Sequence, residues 1–253
     1  MRAPTLLHYP NAKPLTDSGV EMASPQLKII VATSGTFTLA GRDRSAFAVG
    51  LRTRPLAVAY GRQVDCLEWS IPAWMAEPLL GLRASDLAYA VLDLCDLPRR
   101  PLRDALLLGD AGRVVQAGQE LAAWTEGRGR ADARLTREFS LRLEADPAAS
   151  LSRVAAALGV GPRRLRQAVR HETGLSLGSM RRLMRQQAAL ALLAQPRPSL
   201  AEAAQEAGFA DQSHMTRELK DLGGITPARL RSALLGEEKL SSVCFNTEDV
   251  ASA

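Results

Sequence analysis

Residues Ser199 to Arg231 read SLAEAAQEAGFADQSHMTRELKDLGGITPARLR. A serine opens a short helical stretch with alanines on one face, and Gly208 ends it. A second apolar-periodic stretch starts behind Asp211 and runs to Gly223-Gly224. Small residues let two helices approach closely at a steep angle, and a glycine supplies the positive φ of the tight turn between them. Serine and aspartate cap such helices because their side-chain oxygens accept from the free amides of the first turn. The pattern also occurs upstream, where Ser150 to Leu183 reads SLSRVAAALGVGPRRLRQAVRHETGLSLGSMRRL. Ser150-Leu151 and Gly159-Val160 match Ser199-Leu200 and Gly208-Phe209 at a spacing of 49. Val169, Gly174-Leu175-Ser176 and Arg181 match Leu219, Gly224-Ile225-Thr226 and Arg231 at 50. Two copies are too few for a solenoid. Each copy predicts a helix-turn-helix.

Around the repeat the reading stays helical. Stretches 131–145, 150–158, 161–172, 178–195, 199–207, 211–222 and 226–235 predict about seven helices, parted by proline and glycine. Gly127-Arg128-Gly129-Arg130 has nothing to bury and is read as a linker over 127–130. Before it, LKIIVAT, GTFTLAG, SAFAVGL and VDCLEWSI between Leu27 and Pro72 are short apolar or alternating runs, which predict a small antiparallel β-unit. From Ala73 to Glu126 the period moves toward 3.6: PAWMAEPLLGL, SDLAYAVLDL, PLRDALLLG and 112–125 are expected to be helical, with Ser85 and Asp86 as an N-cap. The fold class is thus α+β: a small antiparallel β-unit with helices, then an all-α domain holding two helix-turn-helix motifs. The divisions expected are an arm at 1–22, a β-rich and helical domain at 23–126, the linker, a helical domain at 131–236 and an acidic, disordered tail at 237–253.

Composition narrows the function. Of 253 residues, 46% are hydrophobic, which excludes a disordered or collagen-like chain. The net charge is +5, and it is concentrated: residues 131–236 carry +6. Arg163, Arg164, Arg166 and Arg170 lie within eight residues without an acid among them. Such a run is commonly a solvated helix face, but on a helix-turn-helix it suits a polyanion. Cys66, Cys95 and Cys244 form neither a disulfide framework nor a zinc pattern. The longest apolar run, Ala188 to Ala194, is too short to span a bilayer, and the first residues lack the apolar core of a signal peptide. The cytoplasm is the expected compartment, with no membrane partner.

On these residues 131–236 resembles the paired helix-turn-helix DNA-binding domain of the AraC/XylS transcription regulators. The AGF-x-DQSH-x-TR core and the GITP-x-x-LR ending of the second copy are the most specific signals. Leu219 and Gly223 stand where that family usually has Phe, which would thin the packing under the second recognition helix. VGLRTRP (Val49–Pro55) and VDCLEWSIPAWMAEPLLGL (Val64–Leu82) resemble, more faintly, the sensory or dimerisation domains of such regulators, especially actinobacterial ones. The resemblance implies a sequence-specific regulator that binds double-stranded promoter DNA. It adds RNA polymerase and a small-molecule effector as further partners, and a homodimer through residues 23–126.

In a helix-turn-helix the second helix enters the major groove. In the first copy it begins at Pro162, and Arg163, Arg166, Gln167 and Arg170 share one face by their three- and four-residue spacings. Arg reads guanine through O6 and N7, whereas Arg164 suits a phosphate equally well. In the second copy the matching family positions put Gln212, Ser213, His214 and Arg217 toward the groove. His214 is read as a cap, a phosphate contact or a base contact, and Thr216 and Lys220 as contacts to the DNA backbone. The helix from Ser179 to Gln195, about 25 Å long, would join the copies. Its Arg181, Arg182 and Arg185 are read as phosphate contacts or as a solvated face.

The first domain is less legible. Three histidines without an HxH pair argue against a metal site, and no cofactor is expected. Trp69, Trp74, Cys66 and Cys95 are read as core, and Cys244 as the more exposed thiol. No nucleophile elbow, P-loop, zincin or dinucleotide motif occurs, so the chain is not expected to be an enzyme. A DNA-repair alkyl acceptor would need a cysteine cluster that this chain lacks. A DNA-architectural or adaptor role of the same fold is the alternative.

Overall fold

The computed structural model describes residues 5–9, 20–61, 63–98 and 130–235. Its first part is built from β1 (Thr5–Tyr9), β2 (Val20–Glu21), β3 (Gln26–Ser34), β4 (Phe37–Leu39), β5 (Arg42–Arg44), β6 (Ala46–Val49), β7 (Leu56–Ala57), β8 (Ala59–Tyr60), β9 (Asp65–Pro72), helix α1 (Ala76–Leu80) and β10 (Val91–Asp93). A five-stranded antiparallel sheet runs β1-β9-β3-β6-β10, and two small sheets, β2-β7 and β5-β4-β8, accompany it. Side chains alternate across a strand, and both faces of this sheet are put to use. Leu27, Ile29, Val31, Trp69 and Ile71 belong to the core shared with the helices. Ile30, Phe47, Val49 and Cys66 pack with Phe37, Leu39 and Val58 from the strands on the other side.

The second part is α2 (Ala131–Ala145), α3 (Leu151–Ala157), α4 (Pro162–Thr173), α5 (Leu177–Leu193), α6 (Leu200–Glu206), α7 (Gln212–Gly223) and α8 (Pro227–Leu234). The caps explain the boundaries. Ser150, Ser176, Ser199, Asp211 and Thr226 each accept from a backbone amide three residues on, and Ser199 with Glu202 completes a reciprocal capping box. Gly159 and Gly208, at φ +67° and +81°, make the turns of α3–α4 and α6–α7. The first pair shares one apolar core with the β-domain: Val154, Leu165, Val169 and Leu175 join Leu27, Ile29 and Trp69. The second pair has its own, around Leu193, Phe209, Met215 and Leu230.

Several expectations need correction. The 1–22 segment is not wholly an arm, because Thr5–Tyr9 pairs with Ser70–Cys66 along β9, and Val20–Glu21 pairs with Ala57–Leu56. Edge pairing to an existing strand overrides the Pro- and Asn-rich neighbourhood. SDLAYAVLDL is not helical. Residues 84–89 form turns, 91–93 pair with β6, and Leu94–Asp96 is one 3-10 turn. Leu51 and Gly50 capture the backbone of Tyr89 and Ala90, with Tyr89 N–H donating at 2.9 Å and Ala90 C=O accepting at 3.0 Å. Ser85 therefore caps no helix. Cys95 is exposed, with its thiol near the Asp96 carboxylate, rather than core. Cys66, Trp69 and Trp74 are buried or half-buried. Arg130, at the end of the expected linker, is bound: its guanidinium meets Glu77 at 2.8 Å and Glu172 at 2.9 Å. The helices expected at PLRDALLLG and 112–125, residues 127–129, Cys244 and the tail lie outside the described residues.

Candidate nucleic-acid interface

On α4, Leu165, Ala168 and Val169 are fully buried, which turns Arg163, Arg164, Arg166, Gln167 and Arg170 outward. Arg163, Arg166, Gln167 and Arg170 make no side-chain hydrogen bond or ion pair among the described residues, so one helix face presents three unpaired guanidiniums and an amide. Arg164 differs. Its guanidinium meets Asp132 of α2 at 2.6 Å. His171 Nδ1 donates to the same carboxylate at 2.7 Å while Nε2 accepts from Arg83 at 2.9 Å. Against the burial that opposes it, Arg164 and His171 hold the Asp132 carboxyl below its usual range.

On α7, Met215, Leu219 and Leu222 face the core, while Gln212, Ser213 and Arg217 are exposed and free of polar partners among the described residues. His214 is not free. Nδ1 accepts from the Ala210 amide at 3.2 Å, Nε2 donates to Glu218 at 3.2 Å, and the ring stands edge-on to Phe209. These contacts fix the turn that leads into α7. Thr216 donates its hydroxyl to the Gln212 carbonyl at 2.8 Å, so this side chain too is engaged within the helix.

Arg182 and Arg185 of α5 are paired with carboxylates of α7. Arg185 reaches Glu218 at 2.8 Å and lies over the Phe209 ring at 5.3 Å. Arg182 reaches Glu218 and Asp221 at 3.3 and 3.4 Å, and Arg181 is half-buried. Nor is packing thin beside Gly223. A Cβ there would come within 2.3 Å of Met22 Cε, so a side chain from the first domain fills the space, and Leu219 is itself fully buried.

A partly open cavity of about 370 Å³ lies between the first domain and the helices of the second part. Its walls include Ile30, Phe37, Leu39, Phe47, Val49 and Val58, and its rim is α5, through Leu183, Met184 and Gln186 among others. Gln186 is 1% exposed, and neither atom of its amide has a partner among the described residues. Polar groups also enter. In register, Lys28 lies opposite Val49 and Ser70, and Ile30 opposite Phe47 and Glu68. Lys28 therefore donates to Glu68 and, at 2.7 Å, to Ser70. Glu21 accepts from the Tyr60 hydroxyl. The sequence reading passed over these residues. The available signal was a charge at inward-facing positions of two strands, Lys28 among Leu27, Ile29 and Ile30, and Glu68 beside Trp69.

No curated relative matches the chain in sequence. A family described as a helix-turn-helix domain matches residues 154–233. A transcriptional regulator from Chromobacterium violaceum with an AraC-type DNA-binding domain aligns at 21% identity over 42% of this chain and 96% of its own, with a TM-score of 0.39. ToxT from Vibrio cholerae aligns at 11% identity and a TM-score of 0.57, covering 93% of this chain and 100% of its own. Unsaturated fatty acid-bound ToxT aligns at 12% and 0.54, covering 93% and 99%. The chain thus carries a helix-turn-helix domain at 154–233 within a fold that it shares with ToxT over 93% of its length.

Proposed function

We propose that the chain regulates bacterial promoters by placing α4 and α7 in successive major grooves of one DNA site. The observation that carries this is the repeated arrangement: two capped helix pairs, each with an outward face of unpaired Arg, Gln or Ser, joined by one continuous helix. Arg163, Arg166, Gln167 and Arg170 read the first groove, and Gln212, Ser213 and Arg217 the second. Arg164 contacts phosphate, while His214 and Thr216 set the shape of the second turn and approach the DNA backbone. Residues 131–236 form the DNA-binding unit, and residues 23–126 form the dimerising and sensing unit of a homodimer. The cavity receives a small-molecule effector, as ToxT receives a fatty acid, and the effector alters DNA affinity. RNA polymerase is the partner at the promoter, the protein works in the cytoplasm, and it carries out no catalysis.

Selection of genomic fragments by the full chain, across a salt series, tests the DNA reading. The expected result is one bipartite motif, with Arg166→Ala relaxing one half and Gln212→Ala the other. Sequence-blind binding that only falls with salt would overturn it.

A further inference from the structure

The cavity's polar wall is unbalanced in charge. Lys28 is already matched, since its ammonium donates to Glu68 and Ser70. Glu21 on the facing small sheet has Tyr60 as its donor and no ion pair among the described residues. The groups acting on it are Tyr60 from β8, Glu68 from β9 and Lys28 from β3. Burial, reinforced by Glu68 and opposed by Tyr60 and Lys28, pushes the Glu21 carboxyl up to about 7. Cys66 lies on the same wall. Burial and the carboxylates Glu68, Glu21 and Asp65 push its thiol up to about 12, so a negative charge is disfavoured there. Arg52, the other cation of the lining, donates to the carbonyls of Gly50 and Ala90 and is not among the charges acting on Glu21 or Cys66.

Beside these carboxylates stand aromatic rings. Phe37 meets Phe47 and Tyr60 edge to face at centroid distances of 5.5 and 5.1 Å, and all three line the cavity. A carboxylate next to aromatic surface in a low-dielectric enclosure attracts a cation through both charge and ring quadrupole. The same enclosure repels a carboxylate head, because Lys28 has no charge left to offer it.

We infer that the cavity takes a small organic cation, an apolar body bearing a protonated amine, whose ammonium rests against Glu21 and Glu68 beside Phe37, Phe47 and Tyr60. This rests on the effector reading above and specifies its ligand. Binding completes the charge balance: the ammonium replaces the proton on Glu21, which leaves to solvent.

The test is calorimetry on the full chain with three probes that share one body: 4-phenylbutylamine, 4-phenylbutan-1-ol and 4-phenylbutanoate. The amine is expected to bind at least about ten-fold more tightly than the carboxylate. At pH 7 it should release about half a proton, read by comparing buffers of different ionisation enthalpy. Glu21→Gln should cut amine affinity at least about ten-fold and abolish the proton release. A melting temperature equal to the parent's near pH 4.5, where Glu21 is protonated, shows that the variant folds. Equal or tighter binding of the carboxylate, or an unchanged amine affinity in Glu21→Gln, overturns the inference. If the alcohol or the carboxylate binds better and shifts DNA affinity, the cation falls and the effector reading stands. If none of the three binds, both fall.

Discussion

The amide of Ala23 donates to the carbonyl of Leu222 at 2.8 Å, and at the equivalent position of the first repeat the carbonyl of Glu172 accepts from Ser85 at 3.0 Å. The last carbonyls of a helix lack intrahelical partners. Here the first domain supplies one to each of α4 and α7, and at the same repeat position. Both helices are thus fastened to the first domain at their C-terminal ends.

The fastening at α7 can be tested by crowding it. Gly223→Ala brings a Cβ to within 2.3 Å of Met22 Cε, so Met22 must move. The expected cost is about 1–3 kcal/mol, with faster hydrogen exchange at the Ala23 amide. Met22→Ala in the same chain should restore part of that stability. Additive effects of the two substitutions would show that Met22 does not occupy this space.

Arg164 and Arg166 are two residues apart on α4 but differ in commitment. Arg164 is tied to Asp132, and Arg166 has no side-chain partner among the described residues. Arg166→Ala should weaken specific DNA binding by about ten-fold or more. Arg164→Ala should weaken it less and act alike on all sequences. Titration of both variants against specific and scrambled DNA checks this.

Glu218 carries the contact between α5 and α7, with Arg182, Arg185 and His214 converging on one oxygen. Glu218→Ala leaves the nearly buried Arg185 without its carboxylate, and a loss of about 3 kcal/mol in denaturant unfolding is expected. Glu218→Gln keeps an acceptor and should lose less.

Stability should also carry the signature of Glu21. Its folded-state carboxyl sits near 7 against an ordinary 4.5, so across that window the folded chain keeps a proton that the unfolded chain releases. Stability from this group therefore falls as pH rises from about 4.5 to about 7, by at most about 3 kcal/mol. Glu21→Gln should melt with the parent near pH 4.5 and above it near pH 8. A variant no more stable than its parent at the higher pH would contradict this.

Legibility in the sequence followed how local the determinants are. The seven helices after Arg130 could be read because Ser150, Ser199, Asp211 and Pro162 each act within one turn of the boundary they set. Residues 85–94 could not, because the backbone partners of Tyr89 and Ala90 lie nearly forty residues upstream, on Leu51 and Gly50. The role of the α5 arginines depended on Glu218, which is about thirty residues away and reaches them only once α7 is packed. The cavity was hidden for the same reason: Glu21, Lys28, Tyr60 and Glu68 come from four strands of three sheets.

Helix α5 borders the cavity from Leu183 to its C-terminal end and carries one helix-turn-helix head on either side of it in the chain. If the chamber holds an effector as proposed, a spacer that is also its wall would report the contents as phase as well as strength. Displacing it turns one head about the DNA axis relative to the other, and one base pair of spacing corresponds to about 34° of such rotation. Empty and filled protein would then sort among operators by the interval between half-sites, so that one chain could serve two sets of promoters whose half-site letters are identical.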